Sequence, residues 1–228
     1  MDRSCLWVID PSMVRAEDQG VEEVRRGWSG TVRLFRPALR PGDGPEPATG
    51  YDADAVVVLG SAASVHDDLP WLGPMAAWVR PIVEGAVAVP LLGVCFGHQL
   101  VAHLAGGVVD YLHPDRRKRV GIETSRFDGG RLVPGAHDLR VVVSHREGVT
   151  SKPPGYREVA TRIEGVVDAL EHETLPVFSV QFHPEAREDF ARAAGLDPGV
   201  IDDQVRQDGR RLLDAFRSFA ESRARRTP

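Results

Sequence analysis

A three-layer α/β domain with a mixed, mostly parallel central sheet and a small antiparallel sub-sheet is the fold class this chain predicts. Three observations predict it. In the first half, short apolar or β-branched runs alternate with stretches of helical character, the pattern of parallel strands joined by crossover helices. In the second half, strand-like runs follow one another across short turns, as in an antiparallel meander. Beyond residue 187, charged positions alternate with apolar ones such as Leu212, Leu213, Phe216 and Phe219, the pattern of an amphipathic helix laid on a sheet.

Each element has its own warrant. Residues 5–10 form an apolar run that ends at Asp10-Pro11, a first strand. Residues 19–27 read as a short helix closed by Gly27, and residues 32–36 as a second strand. Residues 40–50 are rich in Pro and Gly and form a loop. Residues 55–59 are almost unbroken Ala and Val, as expected of a strand covered on both faces. Asp68 is the expected N-cap of a helix over 72–85, with Pro74 in its first turn and Pro81 expected to kink or split it. The apolar run 89–94 precedes Cys95, and 99–105 looks helical. Strands are expected at 107–111, 119–127, 139–145, 157–162, 166–173 and 177–183. The C-terminal helix is expected at about 199–224, with residues 224–228 frayed.

Composition bounds the function. The 228 residues are expected to form one domain, 1–228, with a substantial core. A net charge of -5 argues against nucleic-acid binding. Two cysteines, Cys5 and Cys95, make no disulfide framework. Asp2 and Arg3 precede only a short apolar run, so no secretory leader is expected. No stretch of 18 apolar residues is present, so no membrane span is expected and the cytoplasm follows by default. Arg greatly outnumbers Lys, a compositional mark of a GC-rich bacterial genome. His98 and His103 are five apart, wrong for one helix face, and no metal-binding spacing occurs. Neither a metal nor a cofactor is expected.

Two segments carry chemistry. Residues 93–99 read Gly-Val-Cys-Phe-Gly-His-Gln, and residues 181–185 read Gln-Phe-His-Pro-Glu. A cysteine flanked by Gly93 and Gly97 at a strand-to-helix turn is a nucleophile elbow, where tight backbone approach favours glycine. Cys95 then lies at a helix N-terminus, whose dipole favours a thiolate. In the second segment, Pro184 biases His183 toward extended backbone. Residues two apart then share a side, so Glu185 can accept from His183 Nδ1–H and leave Nε2 for Cys95. Cys95, His183 and Glu185 are the candidate nucleophile, base and orienting carboxylate.

With these motifs the chain resembles the class I, triad-type glutamine amidotransferase family, from about Leu6 to about Glu185. It is similar to the amidotransferase domain of GMP synthase and to stand-alone relatives, including γ-glutamyl peptide hydrolases. The stretches Gly60-Ser-Ala-Ala-Ser-Val-His-Asp-Asp-Leu-Pro-Trp71 and Val143-Ser-His-Arg-Glu-Gly-Val-Thr150 look especially like the stand-alone members. The resemblance implies a flavodoxin-like fold, a γ-glutamyl thioester on Cys95, and glutamine or another γ-glutamyl amide as substrate. It implies an oxyanion hole built from the backbone amides of Ser61 and Phe96, with Ser61 standing where synthetase-linked members usually have glycine. It places Gly60, Gln99, Ser144, His145 and Arg146 at the substrate, with the backbone of 144–147 and Ser144 holding the α-amino and α-carboxylate groups. Gln99 also reads as a capping or core amide, and Arg146 as a direct partner of the α-carboxylate.

The implied activity is a glutaminase that supplies ammonia to a separate synthetase or acceptor subunit. The alternative is a partner-independent γ-glutamyl peptide or γ-glutamylamide hydrolase. A non-catalytic regulatory subunit is opposed by the intact Cys-His-Glu set. An α/β-hydrolase is opposed by Glu185 following His183, since that family places its acid well before its histidine. The basic run Arg116-Arg117-Lys118-Arg119 reads either as a solvated loop or as a dock for an acidic partner or phosphorylated acceptor.

Overall fold

The alternation of strand and helix in the first half is realised as β1 (Cys5–Ile9), α1 (Asp18–Arg25), β2 (Thr31–Phe35), β3 (Ala55–Val58), α2 (Leu72–Val83), β4 (Leu91–Val94) and α3 (Phe96–Leu104). The meander follows as β5 (Val108–Tyr111), β6 (Arg119–Phe127), β7 (His137–His145), β8 (Glu147–Ser151), β9 (Tyr156–Ile163), β10 (Val166–His172) and β11 (Val177–Val180). α4 (Glu188–Ala193) and α5 (Asp203–Ala224) close the chain. This computed structural model describes residues 4–163 and 165–224. Asp2, Arg3 and the expected frayed end at 225–228 lie outside the described residues.

The strands form one mixed sheet ordered β2-β1-β3-β4-β11-β10-β9-β6-β7, with β8 pairing β10 and β5 off this path. β2, β1, β3, β4 and β11 run parallel. The antiparallel strands β5–β10 are no separate sheet: they join the parallel block directly through β10 and β11, and are more extensive than expected.

Side-chain alternation along the strands creates the three layers. Val57, Leu92 and Phe178 face Val21 of α1 and Leu212 and Phe216 of α5. Their neighbours Val56, Leu91 and Val177 face Trp78 of α2 and Leu100 of α3. β3, β4 and β11 are buried along their whole length, which explains their unbroken apolar sequences. Among the described residues no helix is long and apolar enough to cross a membrane.

Several local expectations need correction. Trp71, not Asp68, occupies the N-cap of α2, and no side chain caps the helix. The neighbouring Asp67 instead accepts the Ser64 N–H at 2.8 Å, closing the preceding turn. Pro81 does not split α2, because it falls in the last turn, where its missing N–H costs one bond near a helix end. Its carbonyl accepts the Val87 N–H at 3.0 Å. The C-terminal helix begins at Asp203, after a 3₁₀ turn at Pro198–Val200 and the separate short helix α4.

Candidate active site

Parallel pairing brings three chain segments to one edge of the sheet. Val58 lies beside Gly93, and Val94 beside Val180. Gly60-Ser61, Cys95 and the segment 181–185 each follow one of these strand ends. The C-terminal edge of a parallel sheet is where open α/β folds bind ligands.

Cys95 joins β4 to α3. Its N–H donates to Val180 O at 2.8 Å and its carbonyl accepts the Gln99 N–H at 3.0 Å. Its backbone sits at φ 52, ψ -100, one of two non-glycine residues with positive φ among those described. Such a conformation costs of order 1–3 kcal/mol and persists only where the surroundings impose it. The imposition is tight: a Cβ on Gly97 would lie 2.3 Å from Val58 O. The thiol is 3 % exposed, at the first turn of α3.

His183 extends the line of β11, and its N–H donates to Val142 O at 2.9 Å. Its ring Nδ1 meets Glu185 Oε1 at 2.8 Å, and both side chains are buried. Nε2 makes no hydrogen bond that meets standard geometry among the described residues. Burial works hardest on this imidazole and disfavours its charge. The combined charges and hydrogen bonds of Cys95 and Glu185 outweigh burial and raise the pKa to about 10. His183 therefore holds its second proton at neutral pH.

Gly60 closes the other side. A Cβ there would lie 2.7 Å from His183 Cε1 and 3.5 Å from Cys95 Cβ. Only a hydrogen fits between the β3 loop and the imidazole. Glycine-to-alanine substitution at Gly60 is expected to displace the ring and lower turnover at this site by about 10²-fold, the scale of an ångström-sized misplacement. Near-normal turnover by a folded Gly60→Ala protein would show that the ring can yield at no cost. Ser61 is outside the positive-φ region. Its hydroxyl donates to Pro11 O at 2.7 Å and accepts the Ala63 N–H at 3.2 Å, pinning this loop to the end of β1.

The other expected residues divide. Gln99 is buried, and its Nε2 donates to Glu147 O at 2.8 Å and Gln181 Oε1 at 3.3 Å, so its amide ties α3 to β8. Ser144 is buried near the end of β7, and Arg146 is exposed just beyond it. The ring of His145 is committed elsewhere: Nδ1 donates to Glu147 O at 2.9 Å and Nε2 accepts from Arg162 Nη2 at 3.2 Å. Burial, helped by Arg162, lowers its pKa to about 4 and keeps it neutral. The His145 side chain is thus fully used within the protein. Arg162 is itself fixed by Asp168 and Glu123, so a buried charge network stands behind this corner.

One further side chain reaches the cysteine, and a second lies close enough to feel its charge. Gln181 Nε2 lies 3.7 Å from Cys95 Sγ as a donor. Its signal is present in the sequence, since it stands two residues before His183 on the same side of extended chain. Lys118 belongs to the basic run. The β6–β7 register places Arg119 opposite His145, and Lys118 and Arg146 are the next residues beyond this last pair. Burial is the largest influence on Lys118 and lowers its pKa, against the charge of Cys95 and together with that of Arg146. Among the described residues no group of three or more His, Cys, Asp or Glu is placed to hold a metal ion.

The chain belongs to the class-I glutamine amidotransferase family, whose model matches residues 36–201. Over 137 residues it is 33% identical to one of the subunits of the glutamine-hydrolysing GMP synthase of Saccharolobus solfataricus, a match covering 59% of this chain and 68% of that one. Over 98 residues it is 39% identical to the corresponding GMP synthase polypeptide of Thermococcus kodakarensis, covering 42% of this chain and only 51%, about half, of that one. A solved glutamine amidotransferase from Thermotoga maritima shares the fold, with a TM-score of 0.70 at 18% identity over 97% of this chain and 98% of that chain.

Proposed function

We propose that the chain is a single amidotransferase domain over residues 1–228 that hydrolyses the side-chain amide of glutamine and passes ammonia to a separate synthetase subunit. The observation that carries the reading is the strained Cys95 at the N-terminus of α3, beside a His183 whose Nδ1 is held by Glu185. Cys95 Sγ attacks the amide carbon, forming a C–S bond and an oxyanion. The backbone amides of Ser61 and Phe96 receive that oxyanion. His183 delivers its Nε2 proton to the amide nitrogen, the C–N bond breaks and ammonia leaves. Water then attacks the γ-glutamyl thioester while His183 takes its proton. The C–S bond breaks to give glutamate and the resting cysteine. Glu185 holds the ring in place and stabilises the imidazolium whenever His183 carries its second proton. Ser144, the 144–147 backbone, Arg146 and Lys118 receive the α-amino and α-carboxylate groups, with the two cations drawing the carboxylate. Gly60 and the Gln99–Gln181 amides shape the site. The relatives named as GMP synthase subunits support a partner that consumes the ammonia.

One observation favours the partner-independent reading as second choice. Ser61 needs no positive φ and is pinned by its hydroxyl, so no backbone strain holds this loop in an inactive form. Turnover of glutamine and of γ-glutamyl peptides by the isolated protein separates the two. Slow glutaminase activity that rises sharply with a synthetase subunit is expected. Fast cleavage of γ-glutamyl peptides without any partner, with glutamine a poor substrate, would replace the first reading with the second.

A further inference from the structure

Behind the histidine, the carboxylate that holds it meets a second carboxyl group. Glu17 occupies the N-cap position of α1, and its N–H donates to Asp10 Oδ2 at 2.9 Å. Its side chain turns inward. A Cβ placed on Gly20 would lie 2.9 Å from both Glu17 Cγ and Glu185 Cγ, so the two side chains meet across the face of that glycine. Glu185 Oε1 is taken by His183, whereas Glu185 Oε2 and Glu17 Oε1 are both fully buried and no donor among the described residues reaches either. Two ionised carboxylates in this position would repel and leave two buried acceptors unsatisfied, each an expensive arrangement. One shared proton removes both penalties.

We propose that Glu17 is a positioning residue whose neutral carboxyl donates a hydrogen bond to Glu185 Oε2 and thereby fixes Glu185 as the acceptor of His183 Nδ1–H. The inference rests on the assignment of Cys95, His183 and Glu185 as the reacting set. The groups that face Glu17 agree with it. Burial, then the charges of Glu185 and of Asp189 in α4, raise its pKa to about 8, against the opposing charges of His183 and Arg15. Asp10, at its backbone, is already paired with Arg36. The proton is therefore held up to about pH 8 and lost above it. Glutamine at this position keeps an N–H donor but cannot ionise. Methionine keeps the volume and loses the donor.

The test reads the rate of Cys95 alkylation by iodoacetamide, located by peptide mapping, across pH in wild type, Glu17→Gln and Glu17→Met. At pH about 7, Glu17→Gln is expected to slow labelling by about threefold and Glu17→Met by tenfold or more, as a freed Glu185 releases the imidazolium. Between about pH 6 and 8 the wild-type and Glu17→Gln rates are expected to stay nearly level, while the Glu17→Met rate climbs with pH as its unpaired thiol ionises. Equal rates in wild type and Glu17→Met would overturn the inference. So would a Glu17→Gln rate more than tenfold below wild type at pH about 7, since glutamine keeps the donor, a comparison that holds even if the methionine variant misfolds. A wild-type rate that simply climbs with pH like a free thiol would instead sink the underlying assignment of Cys95 and His183.

Discussion

Replacing Cys95 with alanine is expected to abolish glutamine hydrolysis, by roughly 10⁴-fold or more, because the members of such a set act as a unit. Serine at this position is expected to do little better. Its hydroxyl keeps the geometry, but it does not ionise beside an imidazolium as a thiol does. The fold should survive either change. Cys95 contributes one small side chain to a core built mainly from β-branched and aromatic residues, and its strained backbone is imposed by neighbouring turns. Initial rates with glutamine, together with circular dichroism, check the prediction. Near-normal turnover by folded Cys95→Ala would end the thiol mechanism.

His183→Ala is expected to cost nearly as much as loss of the nucleophile, and Glu185→Gln roughly ten- to a hundredfold less than His183→Ala, because an orienting group contributes less than the base it positions. The pH course should differ too. With Glu185 ionised, His183 keeps its proton to about pH 10. An imidazolium beside a sulfur favours its ionised form, so the wild-type alkylation rate is expected to stay nearly level between about pH 6 and 8, where a free thiol of pKa about 8.5 would rise almost a hundredfold. Removing the Glu185 charge lowers the pKa of His183, and the rate should begin to climb with pH. If Glu185→Gln were as damaged as His183→Ala with folding intact, the hierarchy of roles would be wrong.

What is legible in the sequence is what local chemistry fixes. Gly93 and Gly97 around Cys95 can be read because a sharp strand-to-helix turn leaves no room for side chains. His183 and Glu185 can be paired because extended backbone repeats every two residues and Pro184 enforces extension. The parallel strands announce themselves because burial on both faces demands continuous apolar sequence. The same reasoning reaches Gln181, two residues before His183.

Contacts made at long range in sequence leave no such mark. Glu17 meets Glu185 only because Gly20 of α1 packs against the segment that follows β11, and nothing near residue 17 signals a buried carboxyl. Arg162, Asp168 and Glu123 look like solvent-facing charges on alternating strands until the sheet pairs them. β8 hides inside a motif-bearing stretch, since its partners β5 and β10 are distant in sequence. At the start of α2, Asp68 looks like a cap by residue type, whereas the turn closed by Asp67 carries the helix start on to Leu72.

The central claim is that one thiol, Cys95, attacks the γ-carbonyl of a glutamyl amide. The most direct measurement is covalent labelling by a glutamine-like chloroketone followed by peptide mapping of both cysteines. One label per chain is predicted, on Cys95, prevented by excess glutamine, with the half-buried Cys5 untouched. Labelling chiefly at Cys5, or labelling of Cys95 that glutamine does not prevent, would contradict it.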